Sequence, residues 1–378
     1  MNILIDENIP YGREAFEALG TVETAPGRGI TREMLLDKDI LLVRSITKVD
    51  EALLAGTPVK FVATATIGED HIDKFWLRAQ GIGFSSAPGC NANSVSEYIT
   101  AALLVLAERH GLSVPDLSLG IIGVGNVGRR VLKKAVALGM RCVLNDPPLA
   151  ESTCEPVYRP IDEILACDIV TLHVPLERAG LWPTWHMVDS QFIQKMKSGS
   201  ILLNTSRGAV ANNTAVLEAL RSGHLKAAVL DVWEGEPRYQ SDVLRAVDIA
   251  TPHIAGYSFD GKVNGTAQIY QAACRHFRLP ATWDPAALLP APEVPELDLS
   301  TSKTPVSSAV SAVYDILGDD KRLRATAGLA DEERGRAFDL LRKEYPRRRE
   351  FHNTRVGLGT DQQHLAAQLA GLGFQIES

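Results

Sequence analysis

The sequence predicts an α/β protein: doubly wound parallel sheets with helices on both faces. Three observations predict it. Short apolar runs alternate with segments of helical spacing that stop at glycine. The later runs are near-continuous in Val, Ile and Leu, as strands buried on both faces are. One of them opens into "GIIGVGNVG", whose glycines are spaced as a turn from strand to helix.

In chain order, residues 1–90 offer "MNILID", "DILLVRS", "KFVATA" and "GIGFSSAP" as strands, with "YGREAFEALG" and "DHIDKFWLRAQG" as helices. "SVSEYITAALLVLAERHG" (94–111) is a long apolar helix pattern closed by Gly111, its Leu and Ala face suited to packing. From 117 to 256, strands are predicted at "LSLGIIG", "RCVLND", "DIVTLHV", "SILLNTS", "AAVLDV" and "VDIATPH", with helices such as "VGRRVLKKAVALG" and "NNTAVLEALRSG" between them. Pro280, Pro285, Pro290, Pro292 and Pro295 mark an extended connector. Beyond it "SSAVSAVYDILG" and "EERGRAFDLLRKEY" have helical spacing, and Arg347, Arg348 and Arg349 form a basic cluster.

At 378 residues the chain is too long for one ordinary domain. Apolar content of 45% and charged content of 22% are those of a soluble globular protein. A net charge of −7 gives no bulk attraction for nucleic acid or an anionic membrane, so neither is expected as a partner. Any anionic substrate must therefore meet a local cluster of donors. Cys90, Cys142, Cys154, Cys167 and Cys274 are scattered without a C-x-x-C pair, which argues against a metal site or disulfide framework and suits a reducing compartment. The N-terminus lacks the basic and apolar regions of a signal peptide, and no apolar run approaches the ~18–20 residues of a membrane span. A cytoplasmic protein is expected.

The glycine run carries the first chemistry. Gly123 allows the tight turn, Gly125 lets backbone approach a pyrophosphate, and Gly128 lets helix and strand pack closely. A pyrophosphate then sits on the helix N-terminus, where unpaired N–H groups and the dipole favour an anion. The next strand ends in Asp146, 18 residues after Gly128, where a carboxylate can accept both ribose hydroxyls and repel a 2′-phosphate. The expected cofactor is NAD.

Open α/β sheets put their chemistry at strand C-termini. "ILLNTSRG" ends with Arg207, "AVLDVWEGEP" with Glu236 and "VDIATPHIAGY" with His253. An Arg fork can hold a carboxylate, His exchanges a proton near neutral pH, and a glutamate on its other nitrogen orients the ring. His71 and His173 are better explained as packing residues at a helix start and a strand end.

"GVGNVG" followed by Asp146, then "NTSRG", "DVWEGEP" and "TPHIAG", resembles the D-isomer-specific 2-hydroxyacid dehydrogenases from about residue 35 to 280. The resemblance implies a catalytic triad of Arg207, Glu236 and His253, and two similar Rossmann- or flavodoxin-like domains with the site in a cleft between them. It implies a substrate-binding domain at 1–93 completed by 257–280, an NAD domain at 94–256, and a connector with a small C-terminal α+β dimerisation domain at 281–378, hence a homodimer. It adds cofactor contacts at Asn126, Val127, Val174, Thr205, Ser206, Arg207, Asp231 and Gly256. Ser45, Thr66 and Tyr257 are implied substrate contacts, and Arg44 and the Gly68 turn stand beside them as candidate donors. "VRSITKV", "ATIGEDHID", "APGCNANSVSEY", "LNDPP" and "HIAGYSFDGKVNGT" resemble the branch that oxidises a phosphorylated hydroxy acid for pyridoxal phosphate synthesis. The loop "LERAGLWPTWHM" (176–187) departs from the family pattern, as does Ala63 where Gly is common. The arginines at 347–349 are either a solvated charge run or a reach from a partner subunit to the substrate phosphate. Other readings stay open here: a 3-phosphoglycerate or D-lactate dehydrogenase, or an NAD-sensing corepressor-like binding protein. A formate dehydrogenase is expected to have Gln in place of Glu236.

Overall fold

A computed structural model describes residues 1–377, which form two compact units: Met1–Asn91 with Ser258–Ala291, and Ala92–Tyr257 with the chain from Pro292 onward. The first unit holds β1 (Asn2–Asp6), β2 (Thr21–Ala25), β3 (Ile40–Val43), β4 (Phe61–Thr64) and β5 (Gly83–Ser85), paired in parallel in the order β2-β1-β3-β4-β5. The two-residue period of a strand divides its apolar residues between faces. Ile3, Ile5, Ile40, Leu42 and Phe61 meet Ile269, Tyr270 and Ala273 of the helix Phe259–Phe277, while Leu4, Leu41, Val43 and Val62 meet Leu35, Val49, Leu54 and Leu77. Both faces are covered, as continuous apolar strands require. β2 is the strand that pattern reading passes over. Only Val22 and Ala25 of "TVETA" are buried at this sheet edge, so no apolar run marks it.

The second unit holds β6 (Ser118–Ile122), β7 (Arg141–Asn145), β8 (Ile169–Leu172), β9 (Ser200–Asn204), β10 (Leu225–Leu230) and β11 (Ile249–Ala250) in one parallel sheet, order β11-β10-β9-β8-β6-β7. All six fall on predicted runs. The order reverses between β6 and β8, and such a switch point opens a crevice at the strand C-termini. β12 (Glu296–Asp298), β13 (Arg355–Gly357) and β14 (Gln375–Ile376) make a small third sheet, so the proline-rich connector ends as a strand.

The C-terminal region differs from the expected separate domain in one physical respect. Ala309, Val310, Tyr314, Ile316, Phe351, Leu369 and Phe374 share a single core with Leu119, Ile121, Ile201 and Val229 and with the helix Ala92–His110. Residues from Pro292 onward therefore belong to the second unit. The apolar face of "AVSAVYDIL", offered for a dimer contact, is largely consumed inside its own chain. The expected single helix there breaks at Tyr314, and Asp315 caps the new one by accepting the Gly318 N–H at 2.9 Å. Among the described residues no helix is long and apolar enough to cross a membrane.

Candidate active site

Each glycine of the β6 turn has a measurable reason. Gly123 has φ +87°, and a Cβ there would lie 2.6 Å from the His173 carbonyl. A Cβ on Gly128 would sit 2.1 Å from the Gly123 carbonyl. At Gly125 a Cβ would meet nothing within 4 Å, so the turn faces open space. The helix Asn126–Ala137 starts there, and its first-turn N–H groups have no partner within the helix. Val127 packs partly on the core, and Val174 borders Gly123. Asp146 ends β7 with its carboxylate accepting the Val124 N–H at 2.8 Å and the Leu149 N–H at 3.0 Å, fastening the glycine turn to the next helix. An open turn at a helix start, with a carboxylate at the neighbouring strand end, fits a dinucleotide.

The ends of β9, β10 and β11 are in register, Asn204 beside Leu230 and Leu230 beside Ala250. The segments leaving them carry Arg207, Glu236 and His253. The buried Asn204 side chain shapes the first turn, accepting the Ser206 N–H (3.0 Å) and hydroxyl (2.8 Å) and donating to the Arg207 carbonyl (3.0 Å). Arg207 Nη1 donates to the Ser206 carbonyl at 2.7 Å. A Cβ on Gly208 would lie 2.0 Å from the Trp233 carbonyl, so glycine lets the Arg207 turn rest on the "DVWEGEP" loop. Thr205 Oγ1 lies 3.4 Å from His173 Nδ1, and His173 Nε2 is 3.1 Å from Thr171 Oγ1. Burial pushes the His173 imidazole down to about 3, so it stays neutral and bracing.

Asp231 does more than sequence reading assigned to it. It is buried, and its carboxylate accepts the Thr251 hydroxyl (2.6 Å) and the Ile254 (2.8 Å) and Ala255 (3.0 Å) N–H groups. The His253 N–H donates to its carbonyl at 2.7 Å. These bonds hold His253 at φ +57°, a left-handed backbone that a non-glycine residue keeps only when its surroundings enforce it. Burial pushes the Asp231 carboxyl up, even against the nearby His253 charge and these donors. His253 Nδ1 lies 2.5 Å from Glu236 Oε1, and Glu236 Oε2 accepts the Trp233 N–H at 3.2 Å. Burial alone would raise the Glu236 carboxyl. The His253 charge and hydrogen bond, the Arg342 guanidinium and the Trp233 N–H together hold it below the ordinary value.

Three residues at this site escaped sequence reading. Glu234, two residues before Glu236, makes a second such pair: its Oε1 lies 2.5 Å from Nε2 of His186, which also has positive φ (+50°). Glu234 Oε2 accepts the Asn213 N–H at 2.8 Å, and the His186 N–H donates to the Ala209 carbonyl at 2.8 Å, so both grip the turn that begins at Arg207. The acid in "WEGEP" was a visible signal for Glu234, but nothing local marked His186. The third is Arg342, whose guanidinium carbon stands 5.8 Å from the Tyr257 ring centroid. Tyr257 follows the half-buried Gly256, donates its N–H to the Ile254 carbonyl at 2.7 Å, and meets Tyr345 edge-on at 5.7 Å.

In the first unit, Arg44 leaves β3 with Nε donating to the buried Asp6 carboxylate at 3.0 Å, and Ser45 is exposed beside it. After β4, Thr66 Oγ1 bonds Thr64 Oγ1 at 2.8 Å and the Gly68 carbonyl at 3.3 Å. His71 Nε2 lies 3.1 Å from Thr64 Oγ1, so it belongs to this polar chain and is more than the packing residue expected. The arginine cluster is also corrected. Arg348 is buried, with Nη1 on Glu97 at 2.7 Å, and Arg349 is buried with Nη2 on Asn353 at 2.8 Å. Both are engaged inside their own chain, and only Arg347 is exposed. Among the described residues no group of three or more His, Cys, Asp or Glu is gathered to hold a metal ion.

Residues 102–255 match the family described as D-isomer specific 2-hydroxyacid dehydrogenase, NAD binding domain, and residues 288–373 match a domain of unknown function, DUF3410. The curated erythronate-4-phosphate dehydrogenase of Escherichia fergusonii is 47% identical over 99% of this chain and 98% of its own. A solved D-lactate dehydrogenase from Aquifex aeolicus, complexed with NAD and lactic acid, superposes with TM-score 0.60 at 25% identity, covering 74% of this chain and 96% of that one. A cofactor-bound 3-phosphoglycerate dehydrogenase from Entamoeba histolytica gives TM-score 0.63 at 26% identity, over 74% and 95%.

Proposed function

The chain belongs to the erythronate-4-phosphate dehydrogenases, within the D-isomer specific 2-hydroxyacid dehydrogenase family, and from that premise we propose that it oxidises 4-phospho-D-erythronate to 2-oxo-3-hydroxy-4-phosphobutanoate in pyridoxal 5′-phosphate (vitamin B6) synthesis. It is an NAD-dependent dehydrogenase. The observation that supports the acid–base chemistry is the 2.5 Å His253–Glu236 pair at the strand ends of the sheet that also bears the open Gly125 turn, and the choice of acid is supported by 47% identity over 99% of the chain to a curated erythronate-4-phosphate dehydrogenase.

NAD, when bound, supplies the acceptor for the hydride leaving C2 of the substrate. With Nδ1 tied to Glu236, Nε2 of His253 is the nitrogen left to take the proton of the 2-hydroxyl. Glu236 stabilises the imidazolium that forms, where charge develops in the transition state. Arg207 holds the C1 carboxylate and polarises the oxygen becoming a ketone. We assign cofactor contacts to Gly123, Gly125, Asn126, Val127 and Gly128 at the pyrophosphate and to Asp146 at the adenosine ribose. Val174, Thr205, Ser206, Arg207, Asp231 and Gly256 are assigned to the nicotinamide end. Arg44, Ser45, Thr66, Gly68 and Tyr257 are assigned to the substrate, with 1–93 and 257–280 as its binding domain. A cytoplasmic homodimer joined through the C-terminal region completes the proposal.

The test is NADH formation by the purified protein with NAD and 4-phospho-D-erythronate, with a keto-acid trap and with D-3-phosphoglycerate and D-lactate as controls. Turnover specific to the erythronate is expected, and His253→Ala should lower it by roughly 10²–10⁴-fold. Silence with all three acids despite NAD binding would replace the enzyme reading with that of an NAD-binding regulator.

A further inference from the structure

We propose that the C-terminal region supplies a positioning residue to this site: Arg342, on the helix Asp331–Lys343, steadies Tyr257 and the Glu236–His253 pair. The proposal rests on the function assigned above and gives a task to a region matched by a domain of unknown function.

The helix is fastened to the segment that follows Glu236. Arg334 Nη1 donates to Ser241 Oγ at 2.6 Å, and Arg238 Nη2 to Glu332 Oε1 at 2.9 Å. A Cβ on Gly335 would lie 3.4 Å from Arg238 and 3.8 Å from Pro237, so the helix lies close on that loop. Phe338 is fully buried with its ring centroid 5.9 Å from that of Tyr239. Residues four apart share a helix face, so Arg334, Phe338 and Arg342 form one row along it. The first two members lock the row in place, and the third brings its guanidinium 5.8 Å from the Tyr257 ring centroid, where its charge acts on the Glu236 carboxylate.

Arg342 is poorly served as a merely structural residue. Its side chain is 15% exposed, and the nearest carboxylate of its own helix, Asp339, is 4.0 Å away. Its Nε is buried without a partner. A buried cation is costly unless other groups compensate it. Here those are the Tyr257 ring 5.8 Å from the guanidinium, a hydrogen bond with Tyr257, and the Glu236 charge. The charged and titratable groups around the pair and its brace are Asp231, Arg342, Tyr257, Tyr345 and Asp339. Arg342 is the cation among them outside the pair itself. It opposes protonation of the pair, so its removal must move the pair's titration to higher pH.

The test uses full-length protein carrying ring-labelled histidine, with the His253 signal identified by its loss in His253→Ala. Arg342→Met keeps the stem and drops the charge; Arg342→Lys restores the charge. The pair's NMR titration should move to higher pH in Arg342→Met and return towards wild type in Arg342→Lys, with NAD affinity and thermal midpoint unchanged. With the phosphorylated acid, kcat/KM at neutral pH should fall roughly tenfold or more, since a misplacement of about 1 Å costs on the order of a hundredfold. An Arg342→Met protein that binds NAD and titrates like wild type overturns the proposal. Should that variant fail to fold, Arg342→Gln carries the same comparison. The titration needs no substrate, so a protein inactive on the phosphorylated acid still answers the question while refuting the function.

Discussion

At residue 236 the choice of a carboxylate over an amide decides what the histidine beside it can do. An amide can accept the Nδ1 proton but brings no charge to match the imidazolium that forms when the substrate hydroxyl is deprotonated. Glu236→Gln should therefore lower kcat by about a hundredfold. It should also move the acid limb of kcat/KM to lower pH, because loss of an anion disfavours protonation of the pair. This is the opposite direction to Arg342→Met, and rate profiles of the two variants read side by side check both signs. Arg207, Glu236 and His253 were legible because each is the charged or titratable residue that closes a strand-end run. His186 and Arg342 were not, since their neighbours lie 48 and 85 or more residues away in sequence and are brought near only by loop path and helix docking. Three consecutive arginines at 347–349 gave no sign that two would be buried, because charge alone says nothing of a partner such as Glu97.

The loop "DVWEGEP" works as one element with two arms. Glu236 reaches the β11 loop through His253, and Glu234 reaches the β9 turn through His186 and Asn213. Both histidines have left-handed backbone, and both lie 2.5 Å from their carboxylates. Cutting the second arm should loosen Arg207 and leave the glycine turn after β6 alone. In Glu234→Ala, KM for the hydroxy acid should rise about ten- to a hundredfold, the cost of a lost charged hydrogen bond, with NAD affinity by fluorescence titration unchanged. Equal losses for acid and cofactor would mean general disorder of the sheet edge instead. The six strands that place these loops were visible as apolar runs, whereas β2 and the break at Tyr314 were not, one being too polar and the other too apolar to mark a boundary.

Across the whole chain, the region from Pro292 onward is tied to the dinucleotide unit by polar groups as well as by a shared apolar core. Arg348 donates to Glu97 at 2.7 Å and to Ser94, and stacks 4.3 Å from the Tyr314 ring centroid. Glu97 also accepts the Phe351 N–H at 2.9 Å, and Asn93 bridges Glu97 and Glu350 at 3.0 and 2.7 Å. Glu97 and Glu350 are both buried, and burial with the Glu350 charge pushes the Glu97 carboxyl up. The Arg348 guanidinium, together with the buried Lys134 ammonium, is what lets two acids lie so near one another out of water. Replacing both partners of a buried ion pair with apolar residues is often neutral, whereas removing the guanidinium alone leaves buried acidic charge uncompensated. Arg348→Ala should therefore cost about 3–5 kcal/mol. Arg347→Ala, at the exposed neighbouring position, should stay within about 0.5 kcal/mol. Urea unfolding of the two variants at pH 7 distinguishes a cluster that binds phosphate from one that binds its own fold: equal stabilities would return Arg348 to the surface role that its sequence context suggests.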